Sequence, residues 1–230
     1  MKKTVLITGA SGNLGKATVE KFISAGYKVI AMVSPGKALP VDPAADLETV
    51  EADLRNEGQV NEVINQIITN HKIIDGALLL AGGFAAGGIK AADGEGIKNM
   101  YELNFETAYF VARPVFLQMQ KQPSGGRIVF VGSRPALIPK EGKNVIAYAL
   151  AKSLLFNLAE YFNAEGASQN VVTSVIVPST IDTPANRQSM PKADFSKWVK
   201  ADEIAEIMEF ICSQKADSLR EPVYRVYGNT

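Results

Sequence analysis

Tyr148 and Lys152 stand four residues apart in a stretch of helical period, Tyr148-Ala149-Leu150-Ala151-Lys152. That spacing puts a phenol and an ammonium on one helix face, with Cβ atoms about 5–6 Å apart. An ammonium beside a phenol favours the phenolate, so Lys152 is expected to lower the tyrosine pKa from its ordinary value of about 10. Such a phenol gives and takes protons near neutral pH, the work of a general acid and base. A tyrosine and a lysine one turn apart also arise by chance, as an aromatic anchor beside a solvated cation. The pair carries weight only if the rest of the chain brings reactants to it.

The first such element is Thr8-Gly9-Ala10-Ser11-Gly12-Asn13-Leu14-Gly15, which follows a short apolar run and opens a helical pattern with Val19, Phe22 and Ile23 inward. Glycines between strand and helix allow a tight turn, let backbone approach a pyrophosphate and let the helix pack closely, while the helix N-terminus favours phosphate charge. Gly9, Ser11, Gly12, Asn13, Leu14 and Gly15 are therefore candidate cofactor contacts. No Gly-Lys-Ser/Thr follows, which disfavours a mononucleotide loop. In dinucleotide sites an acid at the end of the second strand binds the ribose of NAD. Val33 and Ser34 offer none; Ser34 could donate to a 2′-phosphate and Lys37 could add charge, so NADP is slightly favoured over NAD. Asp53 and Leu54 suit the amine edge and the face of adenine, a helix N-cap being the other reading of Asp53. Ala81, Gly82 and Gly83 are small enough for the backbone to pass beneath a ribose.

These residues need a frame. Short apolar runs at 4–8, 28–33, 47–52, 75–81, 127–132, 171–177 and 223–227 alternate with helical segments, the pattern of a parallel sheet with crossover helices. Near-continuous apolar strands suit burial on both faces. Val60, Val63, Ile64, Ile67 and Ile68 make one helical stripe; Ile204, Ile207, Met208 and Ile211 make another, with Cys212 extending it as a small buried hydrophobe. Long helices are expected over 101–120 and 145–164. The expected fold is α/β: a single Rossmann-type, doubly wound domain over residues 1–230, with a mostly parallel seven-stranded sheet and helices on both faces. Two stretches fit neither period: 82–94, rich in Gly and Ala, and 179–199, with Pro184, Pro191 and Trp198. Both follow strands and so fall at the carboxyl edge of the sheet, where ligands bind, which makes them the expected substrate loops.

Composition excludes several classes. Lys+Arg and Asp+Glu number 24 each, so no charge excess draws the chain to nucleic acid or an anionic membrane. Near-zero net charge permits self-association. Cys212 and His71 are the only residues of their types, which leaves no intrachain disulfide and too few ligands for a His/Cys zinc site; no metal is expected. His71 falls at a predicted helix C-terminus, where its charged form is favoured, and no nucleophile elbow accompanies it. No apolar stretch approaches the ~20 residues of a membrane span. Val5-Leu6-Ile7 is too short for a secretory core, so a cytoplasmic protein is expected.

Together and in this order, the residues resemble the short-chain dehydrogenase/reductase family over nearly the whole chain. Tyr148 and Lys152 match its Tyr-x-x-x-Lys motif. Ser133, 15 residues before Tyr148, matches its substrate-orienting serine, and Asn104 the asparagine that holds a water beside the lysine. Pro178-Ser179-Thr180-Ile181-Asp182-Thr183 resembles its Pro-Gly-x-x-x-Thr segment beside the nicotinamide, with Ser179 in place of glycine. The resemblance implies that Tyr148, Lys152, Ser133 and Asn104 are catalytic. It also implies that Tyr148, Lys152, Pro178, Ile181 and Thr183 contact an NAD(P) cofactor. A small-molecule substrate follows from it, as does a homodimer or homotetramer paired through the helices holding Asn104 and Tyr148.

Within the family, Ala81-Gly82-Gly83-Phe84-Ala85-Ala86-Gly87-Gly88 and the run from Ile181 to Trp198 are similar to the dihydropteridine reductases. So is the spacing of Gly9, Gly12 and Gly15, where the commoner family spacing has glycine at the position of Asn13. That likeness implies a quinonoid dihydropterin as substrate. Ser133 has no counterpart in that branch and keeps another small carbonyl or alcohol open; Val33 stands where the branch carries an acid. Outside enzymes, the alternative is a binder that senses the nicotinamide redox state without turnover. The intact set of Tyr148, Lys152, Ser133 and Asn104 disfavours it.

Overall fold

The computed structural model describes residues 2–229. Its strands are β1 (Thr4–Thr8), β2 (Lys28–Val33), β3 (Leu47–Glu51), β4 (Gly76–Leu79), β5 (Gly126–Val131), β6 (Val171–Pro178), β7 (Ile181–Asp182), β8 (Val199–Lys200) and β9 (Val223–Val226). Seven of them form a parallel sheet in the order β3-β2-β1-β4-β5-β6-β9, and β7 pairs with β8 alone. The helices are α1 (Asn13–Ser24), α2 (Glu57–His71), α3 (Gly94–Tyr101), α4 (Thr107–Met119), α5 (Arg134–Leu137), α6 (Pro139–Gly142), α7 (Ile146–Gly166), α8 (Pro184–Ser189) and α9 (Ala201–Cys212). The strand order reverses beside β1, so the glycine turn leaves the sheet at the switch point, where a crevice opens in such folds.

Residue alternation along the strands divides the core between the two faces. Leu6, Ile30, Ala77, Ile128, Phe130 and Val175 meet Ile64 and Ile67 of α2, Val111 and Val115 of α4, and Leu155 and Leu158 of α7. Val5, Ile7, Val29, Leu78, Val129 and Ile176 meet Val19 and Phe22 of α1 and Ile204, Met208 and Ile211 of α9. The largest of these side chains, such as Phe22 and Phe130, are fully buried, each contributing about 1.5–3 kcal/mol. The outer strands β3 and β9 carry half-exposed or exposed residues, including Glu48, Glu51 and Arg225, which discourages further edge pairing. His71 ends α2, and its Nε2 lies 3.0 Å from Glu48 Oε2. Cys212 is buried, and burial pushes its thiol up to about 12. Among the described residues no helix is long and apolar enough to cross a membrane.

Two expectations are corrected. The helix expected over 101–120 begins at α3 and passes through a π-helical turn, Glu102–Glu106, before α4. Asn104 lies within that turn, and its Nδ2 donates to Met100 O at 3.1 Å. That carbonyl is the one a backbone N–H would take in an α-helical ladder. The segment 179–199 is not irregular: it holds β7, α8, a 3₁₀ turn at Phe195–Lys197 and the start of β8. Thr183 caps α8, accepting from Asn186 N at 3.2 Å, and Pro184 opens the helix, a cap-and-proline pair visible in the sequence.

Candidate active site

The site is assembled where β1, β4 and β5 end. Thr8 closes β1, and its Oγ1 accepts from Leu80 N at 3.1 Å and Ala81 N at 3.3 Å. This ties the glycine turn to Leu80 and Ala81 at the end of β4. Gly9 has φ +63°, and a Cβ on it would lie 2.9 Å from Ala81 N. Gly15 is already helical, yet a Cβ there would lie 2.2 Å from Gly9 O, so its need for glycine is purely steric. Gly12 caps α1 without a side-chain bond, and the first turn of α1 holds no acid. By contrast α2, α3 and α9 each carry acids in that turn. The leading N–H groups and positive dipole end of α1 are thus left for an anion. Ser11, Gly12, Asn13 and Leu14 border this cradle, partly or fully exposed. The cradle fits the pyrophosphate of a dinucleotide.

Ser34 is exposed just past β2, and its carbonyl accepts from Lys37 N at 3.0 Å in a turn. Within that turn Gly36 N donates to Glu51 Oε2 at 3.2 Å. An acid therefore does reach the turn after β2, from β3 rather than from β2 itself. Register explains it, since Val33 pairs with Glu51. Asp53 is not the cap of α2; Asn56 is, accepting from Gln59 N at 3.1 Å. Asp53 Oδ1 instead accepts from Arg55 N at 3.0 Å in a local turn, beside half-buried Leu54.

Lys152 and Tyr148 stand on successive turns of α7. Lys152 is 5% exposed, and its Nζ donates to Val131 O at 2.8 Å. Burial alone lowers its pKa to about 8. The tyrosine does not behave as the spacing suggested. Burial raises the Tyr148 pKa, and the only opposing influence is Ser133. The Lys152 ammonium is engaged by the Val131 carbonyl, and burial outweighs whatever would lower the phenol. The phenol of the protein alone is protonated at neutral pH.

Ser133 follows β5 and is 4% exposed. It lies near enough to the phenol to affect its titration, yet its Oγ has no hydrogen-bond partner of normal geometry among the described residues. A buried hydroxyl with no such partner beside a phenol is suited to a substrate oxygen or nitrogen. Asn104 is fully buried in the π turn, its Oδ1 accepting from Gly83 N at 3.1 Å. A Cβ added to Gly82 would lie 2.7 Å from Asn104 Oδ1 and 3.3 Å from Lys152 Nζ. The amide and the ammonium thus converge over Gly82, and only glycine fits beneath them.

Pro178 ends β6 and Ile181 starts β7, with Ile181 O accepting from Asn186 Nδ2 at 2.8 Å; Thr183 is occupied as the α8 cap. One further aromatic, given no role by the sequence motifs, stands at the site. Phe84 is 66% exposed, with its ring centroid 5.1 Å from that of Tyr148 and the planes at 71°. Its signal was an aromatic inside an otherwise Gly- and Ala-rich loop. That loop is clamped to the start of α7, where Gly87 N donates to Asn144 O at 2.8 Å and Ile146 N to Gly87 O at 2.9 Å.

The lysine predicts a pH effect. Its folded pKa of about 8 lies below its ordinary 10.5, so the unfolded chain binds more protons between those values and stability rises with pH across that window. Below it the buried charge costs on the order of 3 kcal/mol. Lys152→Met removes that cost but also orphans Val131 O, a loss of about 1 kcal/mol at every pH. The melting temperature of the variant minus that of the parent should be nearly flat below about pH 8 and fall between there and pH 10.5. A difference constant across that range would overturn the assignment.

A family profile described as short chain dehydrogenase matches residues 3–194. A dihydropteridine reductase of Dictyostelium discoideum is 28% identical over 221 residues, covering 95% of this chain and 90% of that protein. A 3-oxoacyl-(acyl-carrier-protein) reductase of Aggregatibacter actinomycetemcomitans is 22% identical, covering 99% of each. Among solved structures, ElxO with NADP bound superposes at a TM-score of 0.90 with 22% identity, covering 99% of this chain and 98% of that one. The doubly wound sheet, the glycine cradle at its switch point and a profile match over most of the length agree: the chain belongs to the short-chain dehydrogenase/reductase family and is an NAD(P)-dependent oxidoreductase.

Proposed function

We propose that the protein is a reductase of a small planar substrate, with quinonoid dihydropterin the leading candidate. The observation that carries this reading is the ring of Phe84 set against Tyr148 while most of Phe84 stays exposed. A flat conjugated substrate gains stacking area there, beside the proton donor. The dihydropteridine reductase relative supports the same substrate. The nicotinamide cofactor, when bound, supplies the hydride. Tyr148 delivers the proton to a substrate nitrogen or oxygen, its raised pKa keeping the phenol protonated for reduction. Ser133 donates to the same substrate atom and stabilises charge developing on it. Lys152, with Asn104 supporting it beside Gly82, would hold the nicotinamide ribose, and Gly9, Ser11, Gly12, Asn13, Leu14 and Gly15 would hold the pyrophosphate.

NADPH is the expected donor, with Ser34 and Lys37 on the 2′-phosphate; the Glu51 carboxylate opposes it but is engaged by Gly36 N. A second reading, reduction of another small carbonyl, is favoured by the Ser133 hydroxyl and by the 3-oxoacyl reductase relative. Self-association as a homodimer or homotetramer through α4 and α7 belongs to the same proposal, supported by exposed Leu117, Leu150, Leu154 and Tyr161. The test is a steady-state assay with NADPH and NADH against quinonoid dihydropterin and a panel of small carbonyls. The dihydropterin should give the highest kcat/KM, with NADPH preferred. A higher value for any carbonyl would move the assignment to the second reading, and binding of dinucleotide without turnover of anything would remove both.

A further inference from the structure

The chain does not stop where β9 stops pairing. Beyond Val226, Tyr227 O accepts from Ser179 Oγ at 2.8 Å, and Ser179 N donates to Val226 O at 3.0 Å. Ser179 stands where the motif it resembles has glycine, and its hydroxyl is what grips the tail. Gly228 then turns with φ +58°, so close to the return of the 179–199 segment that a Cβ would lie 2.9 Å from Lys197 O. Asn229 N donates to that same Lys197 O at 3.3 Å. On the other side, the Arg134 guanidinium lies 4.9 Å above the Tyr227 ring and pairs with Glu141 at 2.9 Å. Arg134 is the residue after Ser133.

The segment gripped in this way is a bonded unit. Its two feet are joined by β7 and β8 and by Val199 N donating to Thr180 O at 3.1 Å. Arg187 binds Asp182 through two nitrogens at 2.6 and 2.7 Å and lies 4.9 Å from the Phe195 ring, which contacts Trp198 at 4.8 Å. Bonds of this density within the segment favour its behaving as one body, with its angle set at its feet.

We propose that Tyr227, Gly228 and Asn229 form the hinge plate of this flap, setting its resting angle over the site, and that Tyr227 is a positioning residue linking the flap to Ser133 through Arg134. Among the described residues, this short segment touches both feet and the residue next to Ser133. The substrate-binding role of the flap rests on the function proposed above; the mechanical link does not.

Two measurements test it on the full chain. In steady-state assays Tyr227→Leu should lower kcat/KM by about tenfold, the scale on which small misplacement acts, mainly through KM. Dinucleotide affinity should stay within about twofold, and Tyr227→Phe, which keeps the ring beneath Arg134, should restore kcat/KM to within about twofold of the parent. In limited trypsin digestion of the protein without substrate, Gly228→Ala should speed cleavage at Arg187, Lys192 and Lys197 by about fivefold relative to Lys140, because the added methyl pushes on the foot. Equal kinetics for the Leu and Phe variants, or cleavage no faster in the flap than at Lys140, would overturn the proposal. If Gly228→Ala does not fold, digestion of Tyr227→Leu decides in its place. If no substrate is turned over, the function falls and the digestion still decides the hinge.

Discussion

Tyr148→Phe is expected to lower turnover by about 10²–10⁴-fold, the usual contribution of a positioned general acid. Dinucleotide affinity should hold, since the ring and its contact with Phe84 remain. The loss should appear in kcat and kcat/KM together, because the proton is given only in the transition state. The direction of the Tyr148 pKa shapes the pH profile. Burial holds the phenol above its ordinary value in the protein alone, so reduction should not decline through the neutral range from loss of this proton. Lys152, with a pKa of about 8, is the group that titrates first. A decline of kcat/KM above about pH 8 is therefore expected of the parent and should be absent from residual activity of Lys152→Met. Turnover by Tyr148→Phe equal to that of the parent would remove this mechanism.

Gly15→Ala should produce the second large effect. Its Cβ would sit 2.2 Å from Gly9 O and 2.7 Å from Ala10 Cα, and both obstacles are backbone that cannot rotate away. Relief requires α1 to shift off β1, at a cost of about 3 kcal/mol or more. For a chain of this size that lowers the melting temperature by roughly 6–12 °C. The same shift moves the α1 N-terminus, so dinucleotide affinity should fall by about a hundredfold, as for a displaced set of charge-assisted contacts. Gly26→Ala is the control: Gly26 has φ +84° but nothing within 4 Å of an added Cβ, so only conformational strain of about 1–2 kcal/mol applies. Thermal melts and dinucleotide titrations of the two variants separate the effects. Comparable behaviour of the two would show that the contact between α1 and the turn does not govern the cradle.

Much of this molecule was legible in the chain. The seven sheet strands lie where apolar runs placed them, within a residue or two at their ends. Parallel strands covered by helices on both faces leave little room for polar residues, as in β1 and β5 with every residue buried, so they read as unbroken apolar segments. The glycine turn was legible because no other residue type satisfies a left-handed Gly9 and a Gly15 without room for a methyl. The placement of Tyr148 and Lys152 on one face of α7 was likewise set by helical period alone.

Other features depended on groups far apart in the chain. Glu51 reaches the turn after β2 only because β3 pairs beside it in that register. The order within 179–199 rests on two-residue strands that are meaningless until they meet, and on a C-terminal tail that crosses their feet. The π turn at Asn104 is a local exception, marked by one amide bonded to Met100 O, which periodicity does not register. The Tyr148 pKa is the clearest case. The sequence by itself determined that a phenol and an ammonium share a helix face, because that is a matter of 3.6 residues per turn. Only the tertiary structure decided that burial outweighs the ammonium, because desolvation is set by everything packed around a group, and the Lys152 charge is turned toward Val131 O.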